Sequence, residues 1–151
     1  MTNTALDIEA LKQQFLNREF DQRTFDVTTE AIVTFATACG EMQSKYTDPK
    51  HPDFQAPPTF CSQFVGGRQL PEAYPRFGGI GMDAGKAIEP KLAIRPGTKL
   101  VGKSHLHDIY TKTGRSGTMV FTVMRMEFYD GAGQHVATAD TRMVVRERPQ
   151  E

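Results

Sequence analysis

The chain has 151 residues, with 18 basic and 18 acidic side chains and a formal net charge of 0. This length suits one domain with a hydrophobic core, and the balanced charge argues against a protein that binds nucleic acid through a basic surface. The two cysteines, Cys39 and Cys61, belong to no metal-ligand pattern, and no signal peptide or membrane-spanning apolar run is evident. We therefore expect two small buried thiols, no disulfide framework and a cytoplasmic location.

The chain begins with a predicted helix followed by a strand. Asp7 is a candidate N-cap, and apolar residues follow it at helical spacing at Ile8, Leu11 and Phe15. The segment from Arg23 to Thr28 alternates apolar and polar residues, which predicts a half-buried strand.

A second helix is predicted to begin after Thr28 or Thr29, either of which can act as its N-cap. Glu30 lies in its first turn, where a negative charge interacts favourably with the helix dipole. Gly40 follows the last apolar residue and predicts the end of the helix. The predicted apolar face consists of Ile32, Phe35, Ala36 and Cys39.

The middle of the chain is predicted to be irregular. Four prolines between Glu41 and Pro58 argue against a long helix or strand there. Thr59–Val65 is rich in apolar residues and follows two prolines, so we expect a buried helix. Gly66–Gly85 is rich in glycine and proline, and we interpret its last part, Gly78–Gly85, as a flexible flap.

The last third of the chain predicts strands joined by short turns. Asp130–Gln134 begins with Asp-Gly, which is typical of a β-hairpin, and Pro90 indicates an edge or a bulge. The pattern predicts an α+β fold with a single antiparallel sheet, whose two edges lead us to expect self-association or pairing with a similar domain. The predicted strands are Lys86–Ile94, Lys99–Thr113, Thr118–Asp130 and His135–Glu147.

Several segments in this order resemble a known family. They are FDVTTEAIVTFATACGEMQSKYTDP, APPTF and IRPGTKLVGKSHLHDIYTKTGRSGTMVFTVMRMEFYDGAGQHVATADTRMVVR. Together they are similar to the amino-terminal, FAS1-like dehydratase domain of MaoC-like dehydratases. The resemblance covers about residues 17–147, with residues 1–16 as a helical extension of a single domain that spans 1–151. It implies a hot-dog fold, in which an antiparallel sheet wraps around a central helix that begins near Thr59.

The resemblance also implies a reaction and a partner. Members of the family hydrate a trans-2-enoyl thioester reversibly to a 3-hydroxyacyl thioester that is carried on coenzyme A or an acyl carrier protein. The resemblance implies neither a further cofactor nor a metal. It implies a double hot dog, formed either as a homodimer or as a heterodimer with a catalytic MaoC-like chain.

In catalytic members of this superfamily, an Asp and a His five residues apart follow the glycine that ends the first helix. The matching positions here are Glu41 and Tyr46, so the Asp–His dyad is absent. A tyrosine with a pKa near 10 is a poor base at neutral pH. Gln43 matches a typical Asn, and Asp48 matches the acidic residue that follows.

The thioester oxygen requires backbone N–H donors as it becomes enolate-like. The matching donor position here is Pro58, which has no N–H, although Thr59 or Phe60 can still donate. The expected substrate-binding residues are Gln43, Asp48, Pro58, Thr59, Phe60 and Phe64. Side chains that could line an acyl pocket are Phe54, Phe60, Phe64, Phe77 and Met82.

These features favour an acyl-thioester-binding, non-catalytic subunit of an enoyl-CoA hydratase or 3-hydroxyacyl-thioester dehydratase. Two alternatives stay open, a stand-alone acyl-CoA binding module and a hot-dog thioesterase that uses Glu41 as base or nucleophile. His105 and His107 have the spacing of two metal ligands on one strand face. Because no third ligand is evident nearby, we interpret them as polar residues of the outer face.

Overall fold

A computed structural model describes residues 7–146, so the predictions for residues 1–6 and 147–151 lie outside the described residues. The helices are α1 (Ile8–Phe15), α2 (Thr29–Ala38) and α3 (Ser44–Thr47), together with a 3₁₀ turn at Phe60–Gln63. The strands are β1 (Glu19–Asp26), β2 (Ile80–Pro90), β3 (Lys99–Gly114), β4 (Gly117–Tyr129) and β5 (His135–Arg146). All five strands form one antiparallel sheet in the order β1-β3-β4-β5-β2, which confirms the predicted α+β class.

The helix boundaries follow the capping residues in the sequence. Asp7 accepts a hydrogen bond from the Ala10 backbone N–H at 3.0 Å and caps α1. Thr28 accepts one from Ala31 at 3.0 Å and caps α2. Gly40 ends α2 with a φ of +69°, a conformation that glycine adopts without a Cβ clash.

Helices and loops cover one face of the sheet in two apolar clusters. The first cluster joins α2 and the 3₁₀ turn to the sheet around Ile32, Phe60 and Phe128, all almost fully buried. The second cluster joins α1 and the loop 70–77 to the sheet around Leu106 and Ile109. We refer to this face as the covered face and to the opposite one as the outer face.

The buried helix predicted for Thr59–Val65 is wrong in extent. Only Phe60–Gln63 is helical, as one 3₁₀ turn, and Phe64 has already returned to extended backbone (φ −79°, ψ 136°). This return lets the Phe64 ring pack 4.4 Å from Phe25 and 5.7 Å from Phe128, measured between ring centroids. The buried position expected of the central helix is therefore shared by α2 and a single turn.

The limits predicted for two strands are also wrong. β1 begins at Glu19 and not at Arg23. The sequence does not show this earlier start, because the register shifts between Glu19 and Asp21 and interrupts the alternation of apolar and polar residues. β2 begins at Ile80 and ends at Pro90, so the flap predicted for Gly78–Gly85 is mostly strand. Pairing with β5 holds this glycine-rich segment in the sheet. A bulge between Asp83 and Lys86 includes Gly85, whose φ is +102°.

Two local predictions in the first half of the chain need correction. Cys39 is exposed at the end of α2, whereas Cys61 is buried as expected. The segment predicted as a loop after Gly40 contains the one-turn helix α3, which carries the buried Tyr46. Within residues 7–146, no helix is both long enough and apolar enough to cross a membrane.

Candidate functional site

The loop after α2 carries Glu41 and Tyr46, the two residues predicted from the sequence to occupy the catalytic positions. The Glu41 carboxylate accepts hydrogen bonds from the backbone N–H groups of Met42 at 3.0 Å and Gln43 at 3.1 Å. It therefore stabilises the turn that leads out of α2. Both bonds end on the same carboxylate oxygen, Oε1, so one side of the carboxylate is tied to the backbone of its own loop.

Tyr46 lies in α3 with its side chain almost fully buried. The Lys45 ammonium lies 4.9 Å from the centre of its ring, and the Tyr46 hydroxyl forms no hydrogen bond within residues 7–146. Tyr46 and Glu41 thus make no hydrogen bond to each other. The two residues lie in one loop, but their side chains do not contact each other through a hydrogen bond. Their predicted catalytic roles stay predictions.

The neighbouring polar residues also have local partners. The Gln43 carbonyl accepts hydrogen bonds from the Tyr46 backbone N–H and the Thr47 hydroxyl. The Asp48 carboxylate accepts one from the Lys50 backbone N–H at 2.9 Å. These bonds build the turns around α3, and the substrate-binding roles predicted for Gln43 and Asp48 stay predictions.

The segment around the 3₁₀ turn offers few free donors. Pro58 and Thr59 are exposed, and the Phe60 N–H donates to the Pro57 carbonyl at 2.9 Å. Of the two donors considered for the thioester oxygen, Phe60 is therefore already engaged. The Thr59 N–H makes no hydrogen bond with another described residue.

An apolar groove runs across the covered face beneath the segment 61–69, which we call the strap. The groove has a volume of about 270 Å³ and touches all five strands, from Phe20 in β1 to Ile88 in β2. Ser104 and Ala139 line the groove with small side chains, which take up little of its volume. Three methionines, Met124, Met126 and Met143, also line it. Because methionine is flexible and polarisable, such a lining adapts to apolar ligands of varied shape.

Three hydrogen bonds hold the strap above the sheet. Asp21 in β1 accepts from the Gly67 N–H at 2.8 Å, and the Arg23 guanidinium donates to the Val65 carbonyl at 3.0 Å. On the other side, the Lys86 ammonium of β2 donates to the Ser62 carbonyl at 2.9 Å. The strap is thus fastened to both edge strands, and the groove passes below it.

The thiol of Cys61 lies at the start of the strap and lines the groove. Burial raises the pKa of Cys61 to about 12, so the group is a neutral thiol at physiological pH. The groove therefore contains no activated cysteine nucleophile.

Few of the residues predicted to line an acyl pocket border the groove. Phe64 does, whereas Phe54 and Phe60 are buried in the first cluster and Phe77 packs on the second. Met82 is 40% exposed and alternates with groove-lining Asp83, which places it on the outer face. The groove methionines were missed, although Met124 and Met126 alternate along β4 as residues of one face do.

The outer face carries the His105–His107 pair. Their nearest ring nitrogens, Nε2 of His105 and Nδ1 of His107, lie 3.4 Å apart, and burial lowers the pKa of His105. In the part of the chain that the structure describes, no three ligating side chains converge on one point. Both histidines lie on the outer face, as the sequence predicts, and the absence of a metal stays a prediction.

Comparison with known proteins gives similarity over nearly the whole chain. A family model described as the FAS1-like dehydratase domain region matches residues 14–139. A UPF0336 protein of Streptomyces avermitilis is 32% identical over 152 residues, which cover 91% of this chain and 96% of that protein.

Solved structures share the fold at low sequence identity. A MaoC-like dehydratase from Phytophthora capsici superposes with a TM-score of 0.67 at 21% identity, over 92% of this chain and 50% of that chain. A chain of the ChsH1–ChsH2 complex from Mycobacterium tuberculosis gives a TM-score of 0.65 at 15% identity, over 95% and 91% of the two chains.

Proposed function

Since the chain belongs to the FAS1-like dehydratase domain family, we propose that it is the acyl-thioester-binding, non-catalytic half of an enoyl-thioester hydratase or dehydratase. The sheet and its covering helices form the hot-dog fold of MaoC-like dehydratases.

The observation that carries the proposal is the orientation of the Glu41 carboxylate. Hydration of an enoyl thioester adds a proton to the alpha carbon and the hydroxyl of a water molecule to the beta carbon. Both steps need a group that exchanges protons near neutral pH. Glu41 instead binds the N–H groups of its own loop, and the Tyr46 hydroxyl has no hydrogen-bond partner among residues 7–146 that would make it a base.

The groove supports the binding half of the proposal. It is lined by apolar and sulfur-containing side chains, and it extends to β2, where Lys86 and Asp83 border it. An acyl chain is unbranched and apolar, and it gains about 0.8 kcal/mol for each methylene group that it buries. A thioester held at one end of the groove would place its acyl chain beneath the strap.

A catalytic partner completes the proposal. The groove reaches β2, an edge strand at which a second sheet can continue the first. The neighbour from Mycobacterium tuberculosis is a complex of ChsH1 with ChsH2, which supports pairing of two such chains. We propose that the partner supplies the Asp–His pair and acts on a thioester carried on coenzyme A or an acyl carrier protein.

The test separates binding from catalysis. The purified chain is assayed for hydration of crotonyl-CoA and, by calorimetry, for binding of octanoyl-CoA. We expect binding without turnover, and turnover after co-expression with a MaoC-like chain that has an Asp–His pair. Hydration by the chain alone that is lost in Glu41→Ala or Tyr46→Phe would overturn the non-catalytic role. Release of free thiol by the purified chain would instead identify a thioesterase.

A further inference from the structure

The groove lies between the two apolar clusters, and a methionine of β4 separates it from each. Met126 borders the groove and packs against the first cluster, whereas Met124 borders it and packs against the second. The two side chains are two residues apart on one strand, so both face the ligand space. Along the strand direction, the groove is therefore bounded by Met126 on one side and Met124 on the other.

The wall at Met126 is backed by a tight aromatic group. The Phe64 ring lies 4.4 Å from Phe25, 5.3 Å from Phe60 and 5.7 Å from Phe128, between centroids. Gly102 makes room for this packing, since a Cβ there would lie 2.6 Å from the Met126 sulfur. Removal of the Met126 side chain would therefore expose packed rings and no further channel.

The wall at Met124 has a different backing. Across the sheet Met124 is paired with Leu106 and Thr141, and the second cluster beyond it is covered by the loop 70–77. Tyr74 in this loop is fixed by a 3.0 Å hydrogen bond between its hydroxyl and that of Thr122, and by an edge-on contact with Phe15. The loop 70–77 is therefore a single layer of chain over the second cluster, and apolar side chains lie beneath it.

From this asymmetry we infer that Met124 sets the length of the acyl chain that the groove accepts. The inference rests on the proposed function, because it assumes that the ligand of the groove is an acyl thioester. A shorter side chain at position 124 opens the groove toward Leu106 and the underside of Tyr74, which gives apolar space for further methylene groups. A larger side chain shortens the groove.

The test measures the chain-length profile of binding. Calorimetric titration of the full chain with saturated acyl-CoAs from butanoyl-CoA to hexadecanoyl-CoA gives the longest chain that still adds affinity. We expect Met124→Ala to shift this limit to longer chains and to raise the affinity for the longest ligands about 15- to 60-fold over the wild type, as burial of two or three methylene groups would. We expect Met124→Phe to shift the limit to shorter chains.

Matched variants make the result specific. Met119→Ala removes a methionine from the outer face of the same strand and is expected to leave the profile unchanged. Met126→Ala is expected to leave the upper limit in place. Equal profiles for wild type, Met124→Ala and Met124→Phe, with all of them folded by circular dichroism, would overturn the inference while leaving the proposed function intact. A wild-type chain that binds no acyl-CoA would overturn the proposed function itself.

Discussion

Cys39 and Cys61 show how strongly the surroundings separate two identical side chains. Cys39 lies exposed where α2 ends, whereas Cys61 is 1% exposed at the start of the strap. Burial disfavours the thiolate, and the pKa of Cys61 rises to about 12. The thiolate is the reactive form of cysteine, so reactivity follows from the pKa and the exposure together.

We therefore predict that the folded chain presents one reactive thiol. At pH 8 the thiolate fraction of Cys61 is about 10⁻⁴, because the pH lies about four units below the pKa. Titration with a chromogenic disulfide reagent at this pH should release one equivalent quickly, and a second one only after unfolding. Cys39→Ser should abolish the fast phase. Two fast equivalents in the native wild type would show that Cys61 is accessible.

The position of Glu41 can be predicted from the sequence, whereas the direction of its side chain cannot. Its predicted match to the catalytic position of the family comes from its place five residues before Tyr46, because spacing after the helix-ending glycine is visible in the sequence. The direction of its carboxylate is not visible in the sequence, since it depends on which backbone N–H groups the turn leaves unpaired. The same holds for Phe60, whose N–H is engaged by Pro57 through the geometry of the turn.

The strap is an irregular element that side chains of regular elements hold in place. Its Gly66–Gly67 pair permits a close approach to β1, since a Cβ on Gly66 would lie 2.7 Å from the Asp21 carboxylate. The Asp21 bond to the Gly67 N–H fastens this part of the strap. A charged acceptor makes such a bond stronger than a neutral one.

We predict that Asp21→Ala loosens the strap without unfolding the sheet. Loss of the hydrogen bond should lower the free energy of unfolding by about 1 kcal/mol. Hydrogen exchange at the Gly67 amide should become faster. Urea denaturation and exchange followed by NMR measure both effects. Asp26→Ala is the matched control, because the Asp26 carboxylate lies 3.9 Å from Lys99 in an exposed ion pair that contributes little. Equal losses in the two variants would refute a specific role of Asp21.

The elements that the sequence predicted are those with a local signal. The caps of α1 and α2, the Asp130–Gln134 hairpin turn and the β3–β4–β5 meander follow from capping residues, glycines and alternation. In the first part of β2 the glycines instead predict an irregular segment, whereas pairing with β5 holds it in the sheet around a bulge. The groove was also not predictable, because its lining comes from five strands and the strap. Sequence periodicity indicates a face but not which residues meet across it.

The two edges of the sheet differ in how they meet solvent. The outer-face positions of β1 include the polar, exposed residues Gln22 and Thr24. Those of β2 include Ile80 and Met82, which are 45% and 40% exposed. Charged or polar side chains protect an edge strand from pairing, whereas apolar ones favour it. The outer face of β2 therefore exposes more apolar surface than that of β1, and we expect association at β2, where the groove ends.

We predict that two lysines on β2 abolish association, whether the partner is a second copy or a catalytic chain. In Ile80→Lys/Met82→Lys, like charges would have to be buried at the junction, whereas the side chains that cover the core are unchanged. Sedimentation velocity of the chain, alone and with a co-expressed MaoC-like chain, measures the loss. Gln22→Lys/Thr24→Lys adds the same charge to the outer face of β1 and should leave association intact. Dissociation by the β1 variant and not by the β2 variant would place the interface at the opposite edge. Because the groove ends at β2, that result would also separate the acyl-binding space from the partner that is proposed to act on its ligand.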